Sequence, residues 1–291
     1  MPTAGKRTLR EQLRHGERLL RRLLRPEVCE DAGFEAFLLL QKVYGITRTE
    51  YTLQADTLPC PDRWPAYRAL LLRRIGGEPV QYILGEWEFW GLPFAVGEGV
   101  LIPRPETELL AETVISFLKG QPHPQVLELC GGSGCLAVAI AHTRPDAAVT
   151  TVELSPEALE YLKKNATQNG TRNVKIVAGD ALYPDAAITE KRYHVILSNP
   201  PYIRTDALPT LQSEVQQEPK MALDGGNDGL DFYRRFCEIY PPLLEDGGLL
   251  AFEIGEEQGE AVKRLMEAAG LREIRVLKDF AGNDRVVTAI K

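Results

Sequence analysis

Ser198-Asn199-Pro200-Pro201-Tyr202 closes an apolar run, Tyr193 to Ser198, that reads as a β-strand. The two prolines remove two backbone N–H donors and fix the local chain direction. What remains is a set of acceptors, the Asn199 side-chain oxygen and the Pro200 carbonyl, with the Tyr202 ring beside them. Such a set holds a planar –NH2 group by both its hydrogens, and the ring packs against that flat group. An amide or exocyclic amine nitrogen is a poor nucleophile because its lone pair is delocalised. Accepting both hydrogens raises electron density on nitrogen, favours pyramidal geometry during attack and aims the nitrogen at an electrophile. The acceleration then comes from orientation and from hydrogen bonds made in the transition state. No strong base is required first, because the proton leaves once nitrogen is cationic. The bland alternative is a rigid Pro-Pro turn after a strand.

A second constellation lies upstream, in Glu128-Leu-Cys-Gly131-Gly132-Ser133-Gly134-Cys135. Glycines permit unusual backbone angles and let a ligand approach the main chain. The turn opens a helix N-terminus, whose free N–H groups attract acceptor or anionic atoms. Glu153 ends the next strand about 20 residues on, where an acidic side chain suits two ribose hydroxyls. Asp180, in Gly179-Asp180-Ala181, follows the third strand at a position able to meet an adenine edge. Together these residues indicate a nucleoside ligand, either a dinucleotide or S-adenosylmethionine (SAM). A dinucleotide site spaces its glycines G-x-G-x-x-G to seat a pyrophosphate. Here position 130 is Cys and the spacing is shorter, which suits a ligand without phosphate better. Without a ligand, the glycines would serve only a tight helix–sheet contact.

Both constellations need a scaffold that brings them together. From about residue 106 the pattern alternates. Strands are predicted at 125–130, 148–153, 174–177, 193–198, 248–253, 272–277 and 285–290, with helices at 107–118, up to about 142, and 156–169. This predicts an α/β fold with a mostly parallel sheet, covered on both faces and joined by right-handed crossovers. Ligands bind at the carboxyl ends of such strands, so both constellations should face one crevice. Residues 1–76 read as a helical domain, with leucine and aromatic spacing near 8–24, 31–44 and 62–76. A 77–105 linker contains an aromatic, β-branched run, Tyr82 to Val96, that reads as a β-hairpin with Gly91 near its middle. The remainder, 106–291, is one domain. The 203–227 loop is long enough to be a lid, with a solvated insertion as the alternative.

Composition narrows the function. The 291 residues carry 34 Lys+Arg against 41 Asp+Glu, a net charge of −7 that argues against nucleic acid as the main partner. No run of about 18 apolar residues exists, which excludes a membrane-spanning helix. The five cysteines are widely spaced without a C-x-x-C pair, so neither a disulfide framework nor a zinc site is expected, and the reducing cytoplasm is the natural compartment. His15, His123, His142 and His194 show no metal-ligand spacing, and no metal is expected. The Arg-rich stretch from Arg7 to Arg25 carries leucines at helical spacing and is interrupted by Glu11 and Glu17. That reads as a helix with a solvated face rather than a transit peptide. Arg104 and Glu106 either border the crevice or open a helix. Trp87, Phe89 and Trp90 read as hairpin packing, and Glu253 as a cofactor-edge or capping residue.

Behind its glycine turn, the Asn-Pro-Pro-Tyr tetrapeptide resembles that of the amino-methyltransferases, which act on DNA adenine N6, RNA guanine N2 or protein glutamine N5. Other segments narrow the resemblance: Glu78 to Pro93, Leu101-Ile-Pro-Arg-Pro-Glu-Thr-Glu108, Gly229 to Phe236, Glu253-Ile-Gly-Glu-Glu-Gln258, and Lys278 to Arg285. These resemble the HemK/PrmC family of release-factor glutamine N5-methyltransferases, strongly over 70–291 and more loosely before it. The resemblance implies a Rossmann-like SAM-dependent methyltransferase sheet with a small N-terminal helical domain and a linking β-hairpin. It implies SAM as donor and, as acceptor, the glutamine of the Gly-Gly-Gln motif in class 1 peptide chain release factors. It places Cys130, Gly131, Gly132, Ser133 and Gly134 along the methionine and ribose, Glu153 on the ribose hydroxyls, and Asp180 and Ala181 beside the adenine. Asn199 would touch cofactor and substrate. Asn199, Pro200, Pro201 and Tyr202 would hold the glutamine, with Asn199, Pro200 and Tyr202 the catalytic set. The helical domain would grip the release factor. Two departures stand out, Glu128 and Cys130 where the family usually has Asp and Gly. Both are expected to weaken SAM binding without abolishing it, since Gly132 and Gly134 remain. The competing functions are a nucleic-acid amino-methyltransferase and a noncatalytic SAM-binding or release-factor-binding module. The first lacks an obvious basic target-recognition segment, and the intact Asn199–Tyr202 set speaks against the second.

Overall fold

Thr8 starts the first helix by accepting the Glu11 N–H on its hydroxyl, while the Glu11 carboxylate accepts the Thr8 N–H. A computed structural model describes residues 7–291, so residues 1–6 of the expected helical domain lie outside the described residues. By packing, the chain divides into one unit comprising residues up to 85 together with 211–217, and a second comprising 86–210 and 218–291.

The first unit is built from α1 (Leu9–Leu23), α2 (Ala32–Tyr44), α3 (Arg48–Gln54), α4 (Trp64–Ile75) and α5 (Val80–Leu84). Leu20, Ala36, Leu39, Leu40, Tyr67 and Leu71 form its buried centre. Gly16 lets α1 approach α4, because a Cβ there would stand 2.1 Å from the Tyr67 hydroxyl. Arg14, Arg18, Arg21 and Arg22 of α1 point to solvent, as expected. Arg74 is the exception among the arginines, at 1% exposure. Its guanidinium donates to Glu35 (2.6 Å) and the Val28 carbonyl (2.6 Å), and pairs with Glu214 (2.8 Å) from the 211–217 segment.

The second unit opens with a hairpin, β1 (Glu86–Phe89) and β2 (Leu92–Ala95). The hairpin starts later than the aromatic run predicts, because Tyr82 to Leu84 end α5. Val80 and Ile83 are buried at helical spacing, and Gly85 stops the helix in the left-handed region (φ 74°). Trp90 and Gly91 (φ 58° and 67°) make a two-residue turn of the hand that matches strand twist. Then follow α6 (Glu108–Phe117), β3 (Gln125–Leu129), α7 (Cys135–Thr143), β4 (Ala148–Glu153), α8 (Pro156–Gln168), β5 (Val174–Ala178), α9 (Ala186–Thr189), β6 (Tyr193–Ser198), α10 (Asp231–Ile239), β7 (Leu244–Glu253), α11 (Gly259–Ala268), β8 (Arg272–Lys278) and β9 (Asp284–Ile290).

The seven-stranded sheet has the order β5-β4-β3-β6-β7-β9-β8. Strands β3 to β7 run parallel and β9 is antiparallel to both its neighbours. The 279–283 turn between β8 and β9 is too short for a crossover and forces that reversal. One face buries Val126, Val195, Leu110 and Val138 in an apolar layer, and the other buries Leu127, Ile196, Phe236 and Phe252. This is the expected Rossmann-like α/β architecture. The chain winds outward from β3 to β5, then returns to place β6 on the other side of β3. That reversal opens a crevice at the carboxyl ends of β3 and β6.

Candidate active site

β3 delivers the chain into the glycine turn at that crevice. The Gly131 N–H donates to the Val152 carbonyl (3.0 Å) and the Gly134 N–H to the Gly131 carbonyl (2.8 Å). At Gly131 a Cβ would stand 2.3 Å from the Thr151 hydroxyl, so only glycine lets β3 and β4 run this close. Gly132 and Gly134 take positive φ (55° and 80°), and Gly134 caps α7. Cys130 takes the same left-handed region (φ 59°) without glycine's freedom. Burial, reinforced by Glu153, pushes the Cys130 thiol well above its ordinary range, so it stays protonated. Asn165 of α8 ties the turn to the hairpin: its amide donates to the carbonyls of Ser133 (2.9 Å) and Ala95 (3.1 Å) and accepts from the Ala95 N–H (2.7 Å).

Glu153 ends β4 at 8% exposure. Its two oxygens accept the backbone N–H groups of Gly132 and Ser155, each at 2.7 Å. The carboxylate is thus aimed by the chain before any ligand arrives. Glu128 lies deeper, opposite Thr151 in the strand register. Its Oε2 and the Thr151 Oγ1 are buried without a well-formed hydrogen bond. Burial pushes Glu128 up to about 8, the Thr151 hydroxyl pulling the other way, so it is largely protonated at neutral pH.

Strand β6 runs into the tetrapeptide. Pro200 and Pro201 are buried. The Tyr202 carbonyl accepts from Gln258 Nε2 at 3.0 Å, and that amide also donates to the Gly229 carbonyl at 3.0 Å. Burial pushes the Tyr202 hydroxyl well up, and the residue packs against the apolar layer beneath β7.

One cleft of about 750 Å³, counting its space open to solvent, brings together Cys130, Gly132, Glu153, Asp180, Ala181, Asn199 and Pro201. Gly131, Ser133, Gly134, Pro200 and Tyr202 are not among the residues that line it. Val152, Leu154, Leu182 and Phe232 give it apolar walls that sequence reasoning missed. A wider groove, at the C-terminal ends of α10 and α11, holds none of these residues. The 203–227 loop reaches the cleft through Pro219, Met221 and Ala222. Its base is pinned by bonds from the Ile203 N–H to the Leu223 carbonyl and from the Gly225 N–H to the Ile203 carbonyl. Glu218, 5% exposed, accepts the Ile102 N–H and pairs with Arg104, which explains the arginine of the Leu101–Glu108 segment. Asp180 caps its own turn by accepting the Leu182 N–H (2.8 Å). Among the described residues no cluster of His, Cys, Asp and Glu is close enough to hold a metal ion.

Residues 11–85 match the PrmC N-terminal domain family and residues 105–226 the methyltransferase small domain family. The chain is 39% identical over 286 residues to a release factor glutamine methyltransferase of Moorella thermoacetica, covering 98% of this chain and 99% of that one. It is 42% identical over 253 residues to one of Bordetella pertussis, covering 87% and 92%. Among solved structures, a methyltransferase from Pyrococcus furiosus is similar in fold, with a TM-score of 0.51 at 19% identity over 77% of this chain and 97% of that one.

Proposed function

The chain belongs to the release factor glutamine methyltransferase family, and from that premise we propose how its cleft performs the reaction and on what. The donor is SAM and the acceptor is the side-chain amide nitrogen, N5, of the glutamine in the Gly-Gly-Gln motif of a class 1 release factor. The observation that carries this reading is the meeting of Asn199 and Pro201 with Gly132 and Glu153 in one cleft.

The residues present fit SAM. Glu153 is held by two backbone N–H groups with lone pairs left for ribose hydroxyls. Gly132 leaves open space where a side chain would stand. Val152, Leu154 and Leu182 offer apolar surface beside Asp180 and Ala181 for a flat base. Bound there, SAM supplies a sulfonium methyl group.

The chain's own part is to hold and aim the nucleophile. Asn199 Oδ1 and the Pro200 carbonyl accept the two amide hydrogens of the glutamine. Both bonds strengthen as nitrogen gains positive charge, so they stabilise the transition state more than the ground state. Pro201 and Tyr202 flank the amide and limit its rotation. The helical unit holds the body of the release factor. The reading places the enzyme in the cytosol, where its five free thiols stay reduced. Among the described residues no helix is long and apolar enough to cross a membrane.

The test incubates the protein with methyl-labelled SAM and a class 1 release factor, its Gln→Ala variant, duplex DNA, or RNA. Label should enter the intact release factor alone. Asn199→Ala should abolish transfer with the fold unchanged by circular dichroism. Label in nucleic acid, or full turnover by Asn199→Ala, would reject the reading.

A further inference from the structure

Asn199 lines the cleft with its side-chain amide anchored from behind. Its Nδ2 donates to the Thr107 hydroxyl at 3.3 Å. Thr107 is 2% exposed and ends the short turn Pro105–Thr107 that leads into α6. On its other side the Thr107 hydroxyl faces the carboxylate of Glu253, the last residue of β7, and eases its ionisation. Glu253 is 1% exposed, and its Oε2 has no hydrogen-bond partner among the described residues. Three distant segments therefore meet in one buried row at the head of β6.

The polarity of that row follows from counting hydrogens. A threonine hydroxyl has one hydrogen, and an ionised carboxylate can only accept. The hydrogen therefore goes to Glu253, and Oγ1 turns a lone pair toward Asn199. A lone pair attracts the –NH2 end of an amide and repels its oxygen. Asn199 Nδ2 faces Thr107 for this reason, and Oδ1 is left for the cleft. Turned by half a revolution, Asn199 would offer two donors to an incoming –NH2 group and hold nothing.

We infer that Thr107 and Glu253 are positioning residues that lock the Asn199 amide with its oxygen toward the methyl-accepting nitrogen. The inference rests on the role given to Asn199 under Proposed function. Its geometry also has a pH consequence. The groups facing Glu253 are Arg285 of β9, Arg104 and Glu106 ahead of α6, Cys135 at the start of α7, Tyr202 after β6 and Tyr233 of α10. Burial pushes Glu253 up to about 7; the Thr107 hydroxyl and Arg285 oppose that rise. A protonated Glu253 becomes a donor, frees the Thr107 hydrogen to point at Asn199, and reverses the row.

The experiment uses the full chain, a class 1 release factor and labelled SAM. Thr107→Val keeps the shape and deletes the hydroxyl. It should lower kcat by about 100-fold, the cost of a misaimed reacting group. KM for the release factor and calorimetric SAM affinity should stay within about threefold, since neither reports a transition-state contact. Thr107→Ser restores the hydroxyl and should recover most of kcat. The parental kcat should fall as pH drops through about 7. Glu253→Gln should lose that acid limb, because a neutral amide does not titrate. A Thr107→Val enzyme of parental kcat, a loss that Thr107→Ser does not relieve, or an acid limb that survives Glu253→Gln would overturn the inference. The acid limb decides by itself if Thr107→Val fails to fold. Turnover by Asn199→Ala would instead overturn the reading of the site. An inactive Asn199→Ala beside a fully active Thr107→Val would overturn the row alone.

Discussion

Gly225 lies against the backbone of Tyr202 so closely that a methyl group on it would stand 2.7 Å from the Tyr202 Cα. The same methyl would stand 2.7 Å from the Pro201 carbonyl oxygen. On the next turn of chain, a Cβ on Gly229 would stand 2.3 Å from the Tyr202 carbonyl oxygen. The returning end of the 203–227 loop is thus moulded onto the tetrapeptide, main chain to main chain. Gly225→Ala should shift Pro201 and Tyr202, cost about 2 kcal/mol through overpacking and lower kcat by about 100-fold through lost alignment. Urea unfolding and single-turnover methyl transfer measure the two effects. An enzyme of parental rate would show that the tetrapeptide does not depend on this contact.

Gln258 should matter for a related reason. Its side chain donates to the carbonyls of Tyr202 and Gly229 and accepts the Gly255 N–H at 2.9 Å. Gln258→Leu leaves those three buried or half-buried groups unpaired, at about 2 kcal/mol in total stability. The kinetic loss should fall on kcat for the release factor, with SAM affinity nearly unchanged by calorimetry.

Cys130 carries a side chain through a left-handed backbone position (φ 59°) at the cofactor turn. Such strain is on the order of 1–2 kcal/mol for a residue with a Cβ. Cys130→Gly relieves it, offset in part by the freer unfolded chain, so thermal stability should hold or rise and SAM should bind more tightly. Cys130→Val adds a β-branch at the same angle and should lower both. A calorimetric SAM titration of the pair decides, and a glycine variant that binds more weakly than valine would contradict the account.

Glu128 makes stability depend on pH. Below its ordinary value of 4.5 the carboxyl is protonated in both folded and unfolded chains. Between 4.5 and about 8 the unfolded chain ionises it while the folded chain keeps the proton. Ionisation therefore favours unfolding, and this contribution is lost as pH rises, levelling off above about 8. Glu253 acts in the same direction up to about 7. Glu128→Gln removes the charge at nearly equal volume, so its advantage over the parent should widen from about pH 5 to pH 8.5. Urea midpoints across that range test it; an advantage that shrinks with rising pH would contradict the burial of an unpaired carboxyl.

Arg74 should be the most sensitive cation of the helical unit. It is fully buried against Glu35 and Glu214. Arg74→Met deletes the positive charge and leaves two carboxylates facing an apolar side chain, a loss of about 3 kcal/mol. Replacing an exposed arginine such as Arg22 should change stability by less than about 0.5 kcal/mol. Denaturation monitored at Trp64, in the same unit, would separate the two.

The parts of the site carried by short stretches of chain were legible in the sequence. A glycine turn after one strand, an acid after the next and a Pro-Pro turn after the fourth are local patterns. Parallel-sheet geometry puts their carboxyl ends on one side, and Gly132, Glu153 and Asn199 do share a cleft. The row Asn199–Thr107–Glu253 was not legible, because it depends on β6 lying beside β7 and on where the chain enters α6. Arg104 read equally well as a crevice residue or a helix start, since its partner Glu218 is far along the chain. The 203–227 loop fits neither expectation cleanly. Met221 lines the cleft while Glu218 is buried as a structural acceptor. The hairpin boundary slipped because an aromatic run suits a short helix as well as a strand, and Gly85 decides between them.

The helical unit is discontinuous in sequence, taking in 211–217 as well as the first 85 residues. An N-terminal fragment cut after Gly85 would be missing Glu214, and its guanidinium at position 74 would lose one of two counter-ions. The complementary fragment would carry 211–217 without the helices it packs with. Dissecting this enzyme into halves therefore damages both, and affinity for a partner measured on an isolated piece would understate what the uncut polypeptide achieves.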